Sequence, residues 1–112
     1  MKETFRGFLS PSFTQVPDEF FDSLMPSLSE SELKVLLYVI RHTIGQKKQK
    51  ASISIKQFQK GFPGTDNGCG MEVKAVRRAV NSLEKRRIIS IERTADESGM
   101  KTANSYSINV AY

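Results

Sequence analysis

The segment Glu72–Arg87, EVKAVRRAVNSLEKRR, constrains this chain more than any other. Val73, Val76, Val80 and Leu83 fall three, four and three residues apart, which is the spacing of one buried helix face. The other positions carry Lys74, Arg77, Arg78, Asn81, Lys85, Arg86 and Arg87, so the segment holds six basic residues against two acidic ones, Glu72 and Glu84. A helix with a narrow apolar stripe and a basic, amide-bearing outer face suits the major groove of DNA, where Arg, Lys and Asn reach phosphates and base edges. The same pattern also describes a solvated surface helix, so its neighbours have to decide.

Upstream, Ser29 and Glu32 form an S-x-x-E capping box, in which each side chain satisfies the other residue's backbone N–H. Leu33, Leu36, Leu37, Ile40 and Ile44 follow at helical spacing, and Gly45 is the expected terminator. Before this helix, Pro17 opens a short helix over Asp18–Met25 that is expected to bury Phe20, Phe21 and Leu24 and to end at Pro26. Residues 1–16 form an N-terminal arm. Phe5, Phe8, Leu9, Phe13 and Val16 are too many large apolar groups for a free tail, so the arm is expected to pack on the domain or on a partner.

Downstream, Ala51–Ser54 reads as a brief strand, and Ser54 caps a helix over Ile55–Lys60 that buries Ile55 and Phe58. GFPGTDNGCG, residues 61–70, is a loop. After the basic helix, Ile88–Arg93 alternates as a strand and Thr94–Ala103 is a polar hairpin loop. Ser105–Val110 forms a second strand with Tyr106, Ile108 and Val110 on one face. Two helices joined by a turn and followed by a hairpin make an α+β winged helix-turn-helix over residues 17–112. Helices run together before a terminal hairpin exclude a βαβ sheet.

Net charge is +5, unevenly spread. Residues 1–46 carry four basic and six acidic groups, and residues 47–112 carry thirteen and six, so a −2 end precedes a +7 end. The second part therefore favours a polyanion, most simply double-stranded DNA. No apolar run approaches a membrane span, no secretory signal is visible, and the compartment implied is cytoplasmic. The candidate DNA-contacting residues are Lys74, Arg77, Arg78, Asn81 and Lys85 on the basic helix, Lys56 and Lys60 on the helix before it, and Arg93 and Lys101 on the hairpin. Lys47, Lys48 and Lys50 flank them, and Asn81 is placed either to pair with adenine or to touch phosphate.

The remaining reactive groups read as structural. Tyr38 and His42 lack a third orienting group, Cys69 sits in a glycine-rich turn, and Asp66, Asp96 and Glu97 lack calcium-loop spacing. The expectation is a protein that is not an enzyme and has no cofactor or metal.

Phe13–Gly45, FTQVPDEFFDSLMPSLSESELKVLLYVIRHTIG, resembles the N-terminal segment of bacteriophage replication initiators of the replication protein O type. Those proteins carry a similar F-T-x-V-P-x-x-F phrase and an L-x-x-x-E-L-K-V-L-L-Y-I-x-R-x-T-x-G helix. ISIKQFQKG and GCGMEVKAVRRAVNSLEKRRII resemble that family's helix-turn-helix, so the similarity covers roughly residues 13–110. The resemblance implies a winged-helix domain that binds origin DNA in a bacterial host, with Lys74, Arg77, Arg78 and Asn81 on the recognition helix and Lys101 in the wing. It also implies a further helicase-recruiting region, which would make these residues an excised domain or a stand-alone relative. Glu72 stands where that family has Ser or Thr, and an anionic group there repels a nearby phosphate. A transcriptional regulator using the same surface, and a winged helix used for protein contact through the arm, are the alternative functions. A homodimer is compatible with each.

Overall fold

The computed structural model describes residues 4–94 and 103–111. Three helices and a small antiparallel sheet make a mixed α+β fold: α1 over Glu30–His42, β1 over Ala51–Ile53, α2 over Ile55–Lys60, α3 over Val73–Lys85, β2 over Ile89–Glu92 and β3 over Asn104–Ile108. The strand order is β1-β3-β2. Tyr106, at the centre of β3, faces Ala51 on one side and Ile91 on the other.

The core lies where α1, α2 and α3 meet one face of that sheet. Val35, Leu36, Val39 and Ile40 come from α1, Phe58 from α2, Val76, Ala79, Val80 and Leu83 from α3, and Ile53, Ile89 and Tyr106 from the sheet. The Phe58 ring meets Tyr106 edge-on, with centroids 5.1 Å apart at 87°, the geometry that aromatic quadrupoles favour.

The local signals explain the element boundaries. Both halves of the α1 capping box are made: Glu32 N–H donates to Ser29 Oγ at 3.1 Å and Ser29 N–H donates to Glu32 Oε1 at 2.9 Å. Ser54 Oγ caps α2 by accepting from Gln57 N–H at 3.0 Å. β1 and α2 occupy the expected positions.

Several expectations need correcting. Only the end of the arm packs on the domain: Val16 reaches the core, whereas Phe5, Phe8, Leu9 and Phe13 are all largely exposed, which leaves a partner as the alternative for them. In the entry segment the chain makes a π-helical turn, Phe20–Leu24, and then a 3₁₀ turn, Met25–Ser27. Pro26 therefore lies inside the turn, among the first positions, whose N–H groups have no intrahelical partner. Phe20 is buried, but Phe21 is half exposed because the wider turn rotates it outward. Gly45 does not end α1. The helix stops at His42, Gly45 sits in a 3₁₀ turn over Ile44–Gln46, and Lys47 takes the left-handed conformation at φ 57°. Val73, the first residue of α3, heads its apolar stripe but is 39% exposed. The helix ends at Lys85 rather than Arg87, and Arg87, left-handed at φ 61°, turns the chain into β2. β3 ends at Ile108, leaving Val110 exposed.

Candidate nucleic-acid interface

With Val76, Ala79, Val80 and Leu83 buried, the rest of α3 follows from 3.6 residues per turn. Lys74, Arg78, Asn81 and Lys85, spaced four, three and four apart, run along the opposite side, and all are exposed. Arg77 is exposed on the flank that faces the sheet. There Arg77, Asn81 and Arg93 line a concavity of about 450 Å³ between α3, the start of α2 and the sheet. Ile53, Ser54, Asn104 and Tyr106 are also in its walls. Lys56 and Lys60 are exposed on α2, and Lys101 lies outside the described residues, as do Asp96 and Glu97.

The cations differ in their freedom. Arg93 grips Glu84 of α3 with two bonds, Nη1 to Oε2 at 2.8 Å and Nη2 to Oε1 at 2.9 Å. Those bonds hold the Glu84 carboxyl below the usual carboxylate range. Lys50 pairs with Glu92 at 2.8 Å. Arg86, the C-cap of the basic helix, is committed to structure: it donates to Ser27 O at 3.1 Å and Ser27 Oγ at 2.7 Å, and lies 3.5 Å from Glu32. Among the described residues, Lys74, Arg77, Arg78 and Lys85 form no ion pair. Glu72 is the N-cap of α3, with no hydrogen bond from its side chain to the helix, so its charge stands beside the first turn of the basic face.

Glu32 is the positioning group that sequence reasoning saw only as a cap. Its second oxygen accepts from Ser82 Oγ of α3 at 2.6 Å. Burial would raise its pKa. The Ser29 N–H, Ser82 and Arg86 outweigh that and hold it low. One carboxylate thus caps α1 and fixes the back of α3.

Of the groups expected to be structural, Tyr38 and His42 are buried, and Asp66 and Cys69 are half-buried. The Tyr38 and His42 rings meet at a tilt of 43° with centroids 4.3 Å apart. His42 Nε2 lies 3.5 Å from Asp66 of the α2–α3 loop. Burial pushes the Cys69 thiol up to about 11, the wrong direction for a nucleophile. Among the described residues no group of three or more His, Cys, Asp or Glu side chains could hold a metal ion, and no helix is long and apolar enough to cross a membrane.

A family model for bacteriophage replication protein O matches residues 9–108. The chain belongs to that family. The match spans all three helices, the three strands and every candidate contact residue. Membership ties the chain to bacteriophage replication, as the resemblance implied. Comparison with curated proteins finds no match.

Proposed function

We propose that this replication protein O domain is a winged helix that binds duplex DNA and recognises a replication origin, acting by binding rather than catalysis. The observation that carries this reading is the exposed cationic face of α3, without ion pairs among the described residues, directly opposite the buried Val76, Ala79, Val80 and Leu83. A helix held so firmly on one side can enter a groove without rearranging. In this reading α3 lies in the major groove, with Arg77, Arg78 and Asn81 nearest the bases. Lys74, Lys85, Lys56 and Lys60 meet phosphates. Arg93, held by Glu84, sets the position of the hairpin against α3. The negative charge of Glu72 keeps the first turn of α3 away from the backbone, so base contacts concentrate on its middle.

The test is binding to random duplex fragments followed by sequencing of the enriched DNA. An origin with repeats is the expected product, and affinity should fall by orders of magnitude between about 50 and 200 mM salt if six or more phosphates are neutralised. Binding that ignores salt, or absence of binding to any duplex, would refute the reading.

A further inference from the structure

The loop between α2 and α3 carries a large apolar side chain that the fold does not use. Phe62 is 56% exposed and packs on no part of the core. Its backbone, in contrast, is tightly held. Phe62-Pro63-Gly64-Thr65 closes with Thr65 N–H donating to Phe62 O at 2.9 Å, and Gly64 has φ +80°. These are the marks of a type II turn, which takes Pro and then Gly at its centre. Asp66 secures the far side by accepting from Gly68 N–H at 2.9 Å. Cys69 N–H and Gly70 N–H return to Phe58 O and Gln59 O at 2.7 and 3.0 Å. Phe62 is therefore an aromatic ring displayed from a fixed mount, not a residue on a loose loop.

The ring borders a concavity of about 390 Å³ between the end of α1, β1 and this loop, lined also by Lys48, Lys50, Gln46, Gln57 and His42. It is separate from the concavity beneath Arg77 and Asn81, with which it shares only Ile53. The His42 side chain is 9% exposed, and its Nε2 makes no hydrogen bond, with Asp66 Oδ1 at 3.5 Å. Gln46 Nε2 lies 3.3 Å from Nδ1. When the amide donates there, the neutral ring carries its proton on Nε2, a donor without a hydrogen-bonded acceptor. Burial favours that neutral ring. Lys50 is held by Glu92, so Lys48 is the cation this site offers. An exposed aromatic, a lysine and side-chain amides together form the combination that binds unpaired nucleic acid: bases stack on the ring, a phosphate meets the cation and base edges meet the amides. A duplex hides its base faces in the stack, so it offers nothing to Phe62.

We propose that the concavity beside Phe62 is a second nucleic-acid site, which takes an unpaired DNA strand by stacking one base on Phe62 and pairing its phosphate with Lys48. The site lies on other elements than the outer face of α3, and it stands whether or not that face reads duplex DNA. A domain with both sites would hold the opened strand beside the duplex it recognises.

The test uses fluorescein-labelled dT12 and the purified chain, read by anisotropy at low salt. The chain has no tryptophan, so Phe62→Trp places a sole reporter on the mount, and dT12 should quench its emission. Phe62→Ala should weaken dT12 binding about 5- to 150-fold, the range for one lost base stack. It should leave the melting temperature and the affinity for a random duplex unchanged. Lys48→Ala should lower the salt slope for dT12 by about 0.7, one phosphate on a single strand. An abasic 12-mer should bind wild type and Phe62→Ala alike. The proposal is overturned if Phe62→Ala binds dT12 as wild type does, or if the indole emission of the Phe62→Trp variant does not respond. It is also overturned if Arg77→Ala plus Arg78→Ala abolishes dT12 binding while Phe62→Ala is silent, because the strand then lies on α3.

Discussion

Replacing Glu32 separates its two roles and tests whether the basic helix is held through a buried carboxylate. Glu32→Gln keeps an acceptor for Ser29 N–H, since a capping box accepts Gln as well as Glu. Its amide can also donate to Ser82 Oγ, so the variant mainly loses charge facing Arg86. That ion pair is long, 3.5 Å, and its Arg86 side chain is 34% exposed, so about 1 kcal/mol or less is expected. Glu32→Ala removes everything. The Ser29 N–H at 2.9 Å and the Ser82 hydroxyl at 2.6 Å both lose a charged acceptor. Hydrogen bonds to charged groups contribute about 1.5–3 kcal/mol each, with strong overlap, so a loss of roughly 2–4 kcal/mol follows. For a domain of this size 1 kcal/mol is about 4 °C in melting temperature. Urea unfolding at neutral pH should rank wild type above Glu32→Gln, with Glu32→Ala well below. The pH dependence supplies an independent sign. Glu32 has a lowered folded-state pKa, so its contribution is complete above the unfolded carboxylate pKa of about 4.3 and is lost as pH falls through the folded value. Wild-type stability should therefore drop with acid more steeply than that of Glu32→Gln. Equal stability of all three proteins at neutral pH, or parallel acid profiles, would show that the carboxylate holds nothing.

The remaining predictions concern the surface. Arg77→Ala plus Arg78→Ala should weaken specific duplex binding by about 1–3 kcal/mol per lost contact while leaving the circular-dichroism melt intact; normal binding by the folded variant would move the reading element elsewhere. Glu84→Gln should release Arg93 into the concavity shared with Arg77 and Asn81, steepening the salt slope for random duplex by up to about 0.9, one phosphate; an unchanged slope would mean that Arg93 stays held. Gly68→Ala should cost about 1–3 kcal/mol, because Gly68 sits at φ +73° and a Cβ there would run into the Gly61 backbone nitrogen; a neutral effect on unfolding would refute the described loop. Removing residues 1–13 should shift the melting temperature by under about 2 °C, the order expected when little is buried, and a larger drop would show that the arm packs after all.

What the sequence made legible was local. Ser29 and Glu32 are three residues apart, and their reciprocal cap can be read directly; so can Ser54 on α2 and the stripe of Val76, Val80 and Leu83. What it hid depends on partners distant in sequence. Ser82 reaches Glu32 across 50 positions and Arg86 reaches Ser27 across 59, so a composition count makes Arg86 one more outward cation. Periodicity assigns Phe21 and Val73 to the core because it says which residues share a face, not how far the covering element extends. The loop from Gly61 to Gly70 is legible as a loop, but its use of Asp66 as an internal clamp is not, since the acceptor and its donors are ordered only by the turn that they create.

The charge distribution acquires a different meaning once the pairs are known. A count over residues 47–112 treats thirteen cations as equal, yet Lys50, Arg86 and Arg93 are each held by a carboxylate. Two of these pairs join other elements to the C-terminal end of α3: Arg93 ties the hairpin side to Glu84, and Arg86, the C-cap, reaches Glu32 of α1. Their placement makes physical sense. A helix that presents Lys74, Arg77, Arg78 and Lys85 together suffers like-charge repulsion along its outer face. It can keep that face only if its buried stripe and its anchoring pairs outweigh the repulsion. In the proposed reading the cations that anchor α3 are therefore as necessary to a DNA-facing surface as those left free, because they hold the helix that presents it. Exchanging one class for the other, as in Arg86→Ala against Arg78→Ala, should separate loss of stability from loss of affinity. Arg86→Ala should lower the melting temperature with non-specific affinity nearly preserved, and Arg78→Ala should do the reverse. If both variants lost affinity with unchanged melting, Arg86 would be a DNA contact and the anchoring argument would fail.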